Sequence, residues 1–338
     1  MAANWDLLGH QWAVQLLVGQ LAAKRLRHAY LFTGPAGVGK RTLALRLAQA
    51  LNCTNPPALG EFCGACRACK GFSRMQHPDL LLLELQEGDR EIKVAAVREL
   101  SRQLSRTPLE ARFQIALLRD FQQANEEAAN ALLKTLEEPN PSVLLCITAP
   151  DVDSLPETIV SRCEVIRLRP MSIGPLAAEL AESLKVDQAH ANLLASLSGG
   201  LPGAAIRLHG DPGALEQRSQ WLADCEQLLP AGRVQRFAFA EKAAKDREKL
   251  RSQLLVWLSF WRDVLLRAGG LTADGTGVAA LSNPDRAERI NSLADSLGLA
   301  AVQQGVAALE RTLEQLNTNI NARLALEVLL LDLPTVNK

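Results

Sequence analysis

The strongest constraint on the fold of this chain lies in residues 29–50. An apolar segment, residues 29–33, runs into a glycine-rich stretch at residues 34–40, which reads GPAGVGK, and a helical pattern begins at Lys40. In such a unit the glycines let backbone N–H groups turn towards phosphate oxygens, and the lysine reaches the terminal phosphates. The strand before the turn and the helix after it argue against a chance glycine turn. The pattern predicts a phosphate-binding loop in an α/β fold.

This phosphate loop departs from its motif at one position. The motif residues that are retained are Gly34, Gly37, Gly39 and Lys40. The next position normally carries a serine or threonine whose hydroxyl binds Mg²⁺, but here it is Arg41. Thr42 comes one residue late, so its side chain is rotated by about 100° around the helix. Either Arg41 simply faces solvent, or it puts a cation where a magnesium ligand belongs.

Apolar and helical segments alternate through the first half of the chain. Further strands are predicted at residues 80–83, 115–118, 143–148 and 165–168, and helices at residues 11–24, 40–50, 94–104 and 126–138. Near-continuous apolar strands that alternate with helices predict a parallel sheet covered on both faces. After Pro170 the strand pattern stops and the rest is predicted to be helical, with Trp257 and Trp261 on one buried helical face.

The charge balance and the apolar pattern bear on partners and location. Lys and Arg number 37, and Asp and Glu also number 37, so the formal net charge is zero. Strong non-specific binding of nucleic acid is therefore not predicted, and any DNA contact must be local or shared with partners. The N-terminus lacks a signal-peptide pattern, and no apolar run approaches the roughly 20 residues that span a bilayer. These features predict a cytoplasmic protein without a membrane segment.

Four of the seven cysteines have the spacing of a metal site. Cys53, Cys63, Cys66 and Cys69 follow the pattern C-x9-C-x2-C-x2-C. Four thiolates at this spacing suit tetrahedral zinc, and they leave no open position for catalysis, so a structural ion is predicted. An iron–sulfur cluster is the chemical alternative, although no redox-partner motif accompanies it. The nearby His77 is predicted to lie at the surface.

Several further motifs carry a family resemblance. They are residues 9–11 (GHQ), 28–35 (HAYLFTGP), 130–139 (NALLKTLEEP) and the triplet Ser161-Arg162-Cys163. With them the chain resembles, over residues 9–170, the bacterial clamp-loader subunits of the AAA+ class, which are the delta-prime and gamma/tau proteins of DNA polymerase III.

The resemblance implies three domains. They are an AAA+ α/β core at residues 1–169 with a zinc-binding insertion at 53–69, a small helical lid at 170–210 and an all-α collar at 211–338. The same insertion occurs in this family, where it binds a structural zinc.

Departures from the family pattern favour the delta-prime class over the gamma/tau motors. Besides Arg41, the position of the magnesium-site aspartate is Arg119, and that of the catalytic glutamate is Asp120. Gly203 stands where gamma/tau proteins carry a sensor arginine. Because Mg²⁺ needs oxygen ligands, two guanidinium groups in their place are expected to repel it. Little or no ATPase activity is therefore predicted, and whether any nucleotide binds the loop is left open.

The resemblance assigns Arg162 the role of an arginine finger that acts on the ATP site of an adjacent subunit. A guanidinium there offsets the charge that develops on the transferred phosphoryl group. The plainer alternative is an exposed arginine in a loose salt bridge. The implied partners are gamma/tau and delta subunits, with the sliding clamp and primer–template DNA reached through the complex. The chain would thus be part of a DNA polymerase holoenzyme without polymerase activity of its own.

Two other functions are kept as alternatives. A gamma/tau-like motor ATPase would need a working magnesium site, which Arg41 and Arg119 oppose. A purely structural zinc adaptor would have no use for the Ser161-Arg162-Cys163 motif. Independent polymerase or nuclease chemistry would need clustered carboxylates, and the sequence contains no such cluster.

Overall fold

The computed structural model describes residues 5–86, 88–271, 281–316, 318 and 320–335. The chain divides into two compact units. The first comprises Met1–Met171 and Leu201–Ala204, and the second comprises Ser172–Gly200 and Ala205–Lys338. The division into core, lid and collar domains stays a prediction.

The first unit is built on a five-stranded parallel sheet. The strands are β1 (Ala29–Thr33), β2 (Leu80–Leu83), β3 (Gln114–Leu118), β4 (Val143–Ala149) and β5 (Glu164–Arg167), and their order in the sheet is β2-β3-β4-β1-β5. The three inner strands are wholly buried, whereas the edge strands β2 and β5 are only partly buried. The predicted α/β core with a parallel sheet is confirmed.

Helices cover both faces of this sheet. They are α1 (Gln11–Ala22), α2 (Lys40–Asn52), α3 (Arg67–Ser73), α4 (Val94–Leu104), α5 (Glu126–Glu137) and α6 (Glu157–Val160). Successive strand residues point to opposite faces, so Tyr30 and Phe32 of β1 lie in one apolar core with α1 and α2, while Leu31 lies in the other with α4 and α5. Because the helices cover the two faces, functional residues are expected in the loops at the two ends of the strands.

The second unit is helical throughout its described residues. Its helices are α7 (Ile173–Leu184), α8 (Gln188–Leu197), α9 (Pro202–Gly210, whose first residues belong to the first unit), α10 (Pro212–Leu228), α11 (Arg233–Ala243), α12 (Arg247–Ala268), α13 (Ala287–Leu297), α14 (Leu299–Leu316) and α15 (Ala322–Asp332). Trp257 and Trp261 of α12 are fully buried in its core, as predicted. Among the described residues, no helix is long and apolar enough to cross a membrane.

Candidate functional site

The phosphate loop connects the carboxyl end of β1 to α2. Gly34, Gly37 and Gly39 all have positive φ angles, a backbone conformation that favours glycine. The ammonium group of Lys40 donates hydrogen bonds to the carbonyl oxygens of Gly34 and, at 3.3 Å, of Pro35. Burial lowers the pKa of Lys40, and the negative charge of Asp120 opposes this shift. The lysine that would reach a phosphate is therefore folded back onto its own loop.

The two arginines in the magnesium-ligand positions have different surroundings. Arg41 is exposed on the first turn of α2, and so is Thr42. Arg119 follows β3 and forms an ion pair with Glu84, which follows the neighbouring strand β2. The charge of Arg119 is thus partly balanced by a carboxylate that the motif comparison did not identify.

Asp120 is the residue that the resemblance aligned with the catalytic glutamate. Its backbone is in the left-handed region, with φ at 48°, and its N–H group donates to Thr148 Oγ1 at 2.9 Å. Thr148 is itself buried in β4. This hydrogen bond joins β4 to the turn after β3, and it therefore holds Asp120 in place at the carboxyl end of the sheet.

Residues 201–204 close against the phosphate loop from a distant part of the sequence. The N–H group of Gly203 donates to the carbonyl of Gly37 at 2.8 Å. A Cβ atom at position 203 would lie 2.9 Å from the same oxygen, closer than real Cβ contacts come. Leu201 packs against the apolar core beside β1. The contact requires glycine where the motor subunits are expected to carry an arginine.

The four predicted cysteine ligands come together in one cluster. The Sγ atoms of Cys53, Cys63, Cys66 and Cys69 all lie within 4.8 Å of one another, and those of Cys63 and Cys69 are 4.0 Å apart. Four sulfurs at about 2.3 Å from one ion would be separated by about 3.8 Å. The donor set and its spacing therefore fit a tetrahedral metal ion.

Backbone N–H groups support these sulfurs. Cys63 N donates to Cys53 Sγ at 3.3 Å, Cys66 N to Cys63 Sγ at 3.3 Å, and Cys69 N to Cys66 Sγ at 3.4 Å. Burial raises the pKa of the Cys66 thiol, but hydrogen bonds from Cys69 and Thr54 outweigh it and bring the pKa to about 6. At Cys66 these bonds favour the thiolate that a metal requires, whereas burial raises the pKa of Cys53 and Cys69.

The prediction that His77 lies at the surface is wrong. Its side chain is buried because the imidazole stacks on Phe72 of α3, with 4.2 Å between ring centroids. The adjacent Asp79 is also fully buried and accepts hydrogen bonds from three successive backbone N–H groups, those of residues 109–111. His77 therefore packs α3 onto the start of β2.

Arg162 lies at the opposite end of the sheet from the phosphate loop. The loop follows the carboxyl end of β1, whereas Arg162 precedes the amino end of β5, which pairs in parallel with β1. At about 3.3 Å per strand residue, the two places are separated by roughly 15–20 Å. The guanidinium is partly exposed, and it donates to Glu137 Oε1 at 2.6 Å and to the carbonyl of Thr158 at 2.9 Å. Arg162 therefore cannot serve its own loop.

The chain is similar to known subunits of DNA polymerase III along most of its length. The family model described as DNA polymerase III, delta subunit matches residues 9–172, and that described as DNA polymerase III, delta subunit, C terminal matches residues 212–335. DNA polymerase III subunit delta′ of Pseudomonas aeruginosa is 36% identical over 323 residues, which cover 94% of each chain. Subunit delta′ of Bacillus subtilis is 34% identical over 59% of each chain. DNA polymerase III subunit tau of Escherichia coli is 33% identical over 53% of this chain and 27% of its own.

Proposed function

The chain belongs to the family of DNA polymerase III delta′ subunits, and from this premise we propose that it is the delta′ subunit of a clamp loader. In that role it joins gamma/tau-type motor subunits and a delta subunit in a complex that places a sliding clamp on primer–template DNA. The similarity to both delta′ and tau proteins supports this assignment. The alternative of a motor ATPase in the same complex is opposed by Arg41 and Arg119.

The position of Arg162 carries the functional proposal. The side chain is partly exposed at the sheet edge formed by β5, and the phosphate loop of its own chain lies at the far end of the sheet. A guanidinium in this place acts on a nucleotide only if a second subunit supplies that nucleotide. Arg162 is then an arginine finger, and its bonds to Glu137 and Thr158 position the guanidinium at this surface.

The test is an Arg162→Ala variant in a reconstituted complex. Because a finger stabilises charge that develops only in the transition state, ATP hydrolysis at the bordering site should slow by roughly tenfold or more. Clamp- and DNA-stimulated ATPase and the rate of clamp loading are measured at matched assembly, which size-exclusion chromatography verifies. Arg98→Ala is the matched control, since Arg98 is an exposed arginine on α4 of the same unit. Equal rates for both variants would leave the chain as a structural member of the complex.

The phosphate loop of this chain is proposed to be inactive in hydrolysis. Lys40 is bonded to its own loop, Gly203 closes on Gly37, and no side-chain oxygen stands at position 41 or 119 for a magnesium ion. These features support a chain that contributes to catalysis across an interface and does not turn over ATP itself.

The cysteine cluster is proposed to hold a structural zinc ion. Cys53, Cys63, Cys66 and Cys69 would supply all four ligands, so that the ion ties the insertion together and takes no part in a reaction. The insertion is also anchored by protein contacts. Trp5 Nε1 donates to the carbonyl of Gly60 at 2.9 Å.

A further inference from the structure

A cavity of about 1030 Å³ opens beside Arg162 in the first unit. Its wall is formed by the turn between α1 and β1, which contains Arg25, Arg27 and His28, and by the residues around the start of β5. It lies at the amino ends of the neighbouring strands β1 and β5, away from the chain's own phosphate loop. Its volume is at the upper limit of the range of small-molecule and cofactor sites, roughly 300–1,000 Å³.

The charges that line this cavity are mostly positive. Its lining includes three arginines, Arg25, Arg27 and Arg162, and one acidic residue, Glu164. Glu164 is already engaged, since it lies 3.7 Å from Arg27 and accepts a hydrogen bond from Gln20. Within the described part of the chain Arg25 is exposed and forms no ion pair. Arg25 is thus the cation that remains available to an anionic ligand.

The backbone that carries these arginines is held in a defined conformation. Arg25 N donates to the carbonyl of Gln20 at 2.9 Å, and Arg27 N donates to the hydroxyl of Tyr30 at 3.1 Å. Tyr30 is fully buried in β1. Fixed attachment points reduce the ordering that a ligand must impose on the two side chains. In addition, Nε2 of His28 is buried without a hydrogen-bond partner in the described structure.

We propose that this cavity binds the polyphosphate of the nucleotide held by the neighbouring subunit, and that Arg25 is a second cation beside Arg162. The inference rests on the proposed function, because the nucleotide comes from the adjacent subunit. Arg162 would act on the phosphoryl group that is transferred, while Arg25 would bind charge present before and during the reaction. A DNA backbone has the same phosphate chemistry, but it calls for cations spread along a track, and here three guanidinium groups surround one cavity.

Substitutions of Arg25 and Arg162 should affect nucleotide binding and turnover differently. In the reconstituted complex, Arg25→Ala should weaken binding of ATPγS at one site by about 3- to 10-fold, the range of an exposed charge-assisted contact. It should raise KM for ATP with a smaller effect on kcat, whereas Arg162→Ala should mainly lower kcat. ATPγS binding is counted by filter retention, and binding of primer–template DNA is followed by anisotropy. Arg98→Ala is again the control, and circular dichroism checks that each variant folds.

Each other outcome has a defined meaning. If Arg25→Ala has the same ATPγS affinity and KM as Arg98→Ala while Arg162→Ala slows ATP hydrolysis, Arg25 is refuted as a second cation. The arginine-finger role of Arg162 then stands. If Arg162→Ala also leaves hydrolysis unchanged, the proposed function fails, and this inference fails with it. If Arg25→Ala weakens DNA binding with ATPγS affinity unchanged, the cavity serves DNA phosphates and the nucleotide proposal is overturned.

Discussion

The hydrogen bond between Gly203 and Gly37 joins residues 166 positions apart in the sequence at 2.8 Å. Gly203 is the second residue of α9, and its φ lies outside the left-handed region, so alanine is compatible with its backbone. The added Cβ would nevertheless lie 2.9 Å from the Gly37 carbonyl oxygen, which is backbone and cannot rotate away. Gly203→Ala should therefore lower the free energy of unfolding by about 1–3 kcal/mol, as overpacking does. Urea unfolding followed by circular dichroism measures it.

Gly174 provides a matched control for this substitution. It is also the second residue of a helix, α7, but a Cβ added there would have nothing within 4 Å. Gly174→Ala should raise the free energy of unfolding by about 0.4–1 kcal/mol, because alanine reduces the freedom of the unfolded chain. Equal effects of the two substitutions would contradict a tight contact between Gly203 and the phosphate loop.

Single residues show where prediction from the sequence stops. The burial of Trp257 and Trp261 followed from helical spacing alone and is confirmed. The ion pair between Glu84 and Arg119 could not be predicted in this way. The two residues are 35 positions apart, with a helix and a strand between them. The prediction that His77 is exposed was wrong for a related reason. A lone histidine after a polar stretch looks exposed, and only the fold shows that Phe72 stacks on it.

At the scale of elements, the proposed zinc site bears on the stability of the insertion between α2 and β2. α3 begins at the cysteine cluster, with Cys66 as its N-cap, and is only seven residues long, too short to be stable in isolation. The purified chain should contain about one zinc ion, because four thiolates fill a tetrahedral shell. Elemental analysis by mass spectrometry tests this, and iron in place of zinc would contradict it.

Replacing one ligand should release the ion and loosen the insertion. Cys66→Ser should lose the zinc, because a hydroxyl is a poor substitute for a thiolate, and metal binding is coupled to local folding. Hydrogen exchange should then rise in residues 53–73, while β1 and the phosphate loop keep their protection. Cys163→Ala serves as the control, since Cys163 lies outside the cluster and should leave the zinc content unchanged. Retained zinc in Cys66→Ser would argue against this ligand set.

The strands were predicted well because their sequence pattern is strong. Runs such as residues 115–118 are apolar without interruption, which is what burial on both faces of a parallel sheet requires. The short helices α3 and α6 were not predicted, since seven and four residues are too few to show a helical period. The order of the strands and the cavity at Arg162 also required the structure, because neither is encoded in local periodicity.

For the molecule as a whole, the prediction concerns its own ATPase activity. The isolated chain should show no magnesium-dependent ATP hydrolysis above background, because Arg41 and Arg119 replace the oxygen ligands and Lys40 is bonded within its loop. Phosphate release is measured with the pure chain, and the complete complex serves as the positive control. Steady turnover that Lys40→Ala abolishes would refute an inactive site.

The first unit is discontinuous in sequence, since Leu201–Ala204 belongs with Met1–Met171. This has a consequence for biosynthesis. When the ribosome has completed the last strand of the sheet at Arg167, the Gly37 carbonyl still lacks its donor, because residues 168–203 must be translated first. At about 5–20 residues per second, these 36 residues take roughly 2–7 seconds. The nascent phosphate loop therefore lacks this hydrogen bond during that interval. The bond can form only after Gly203 has been translated.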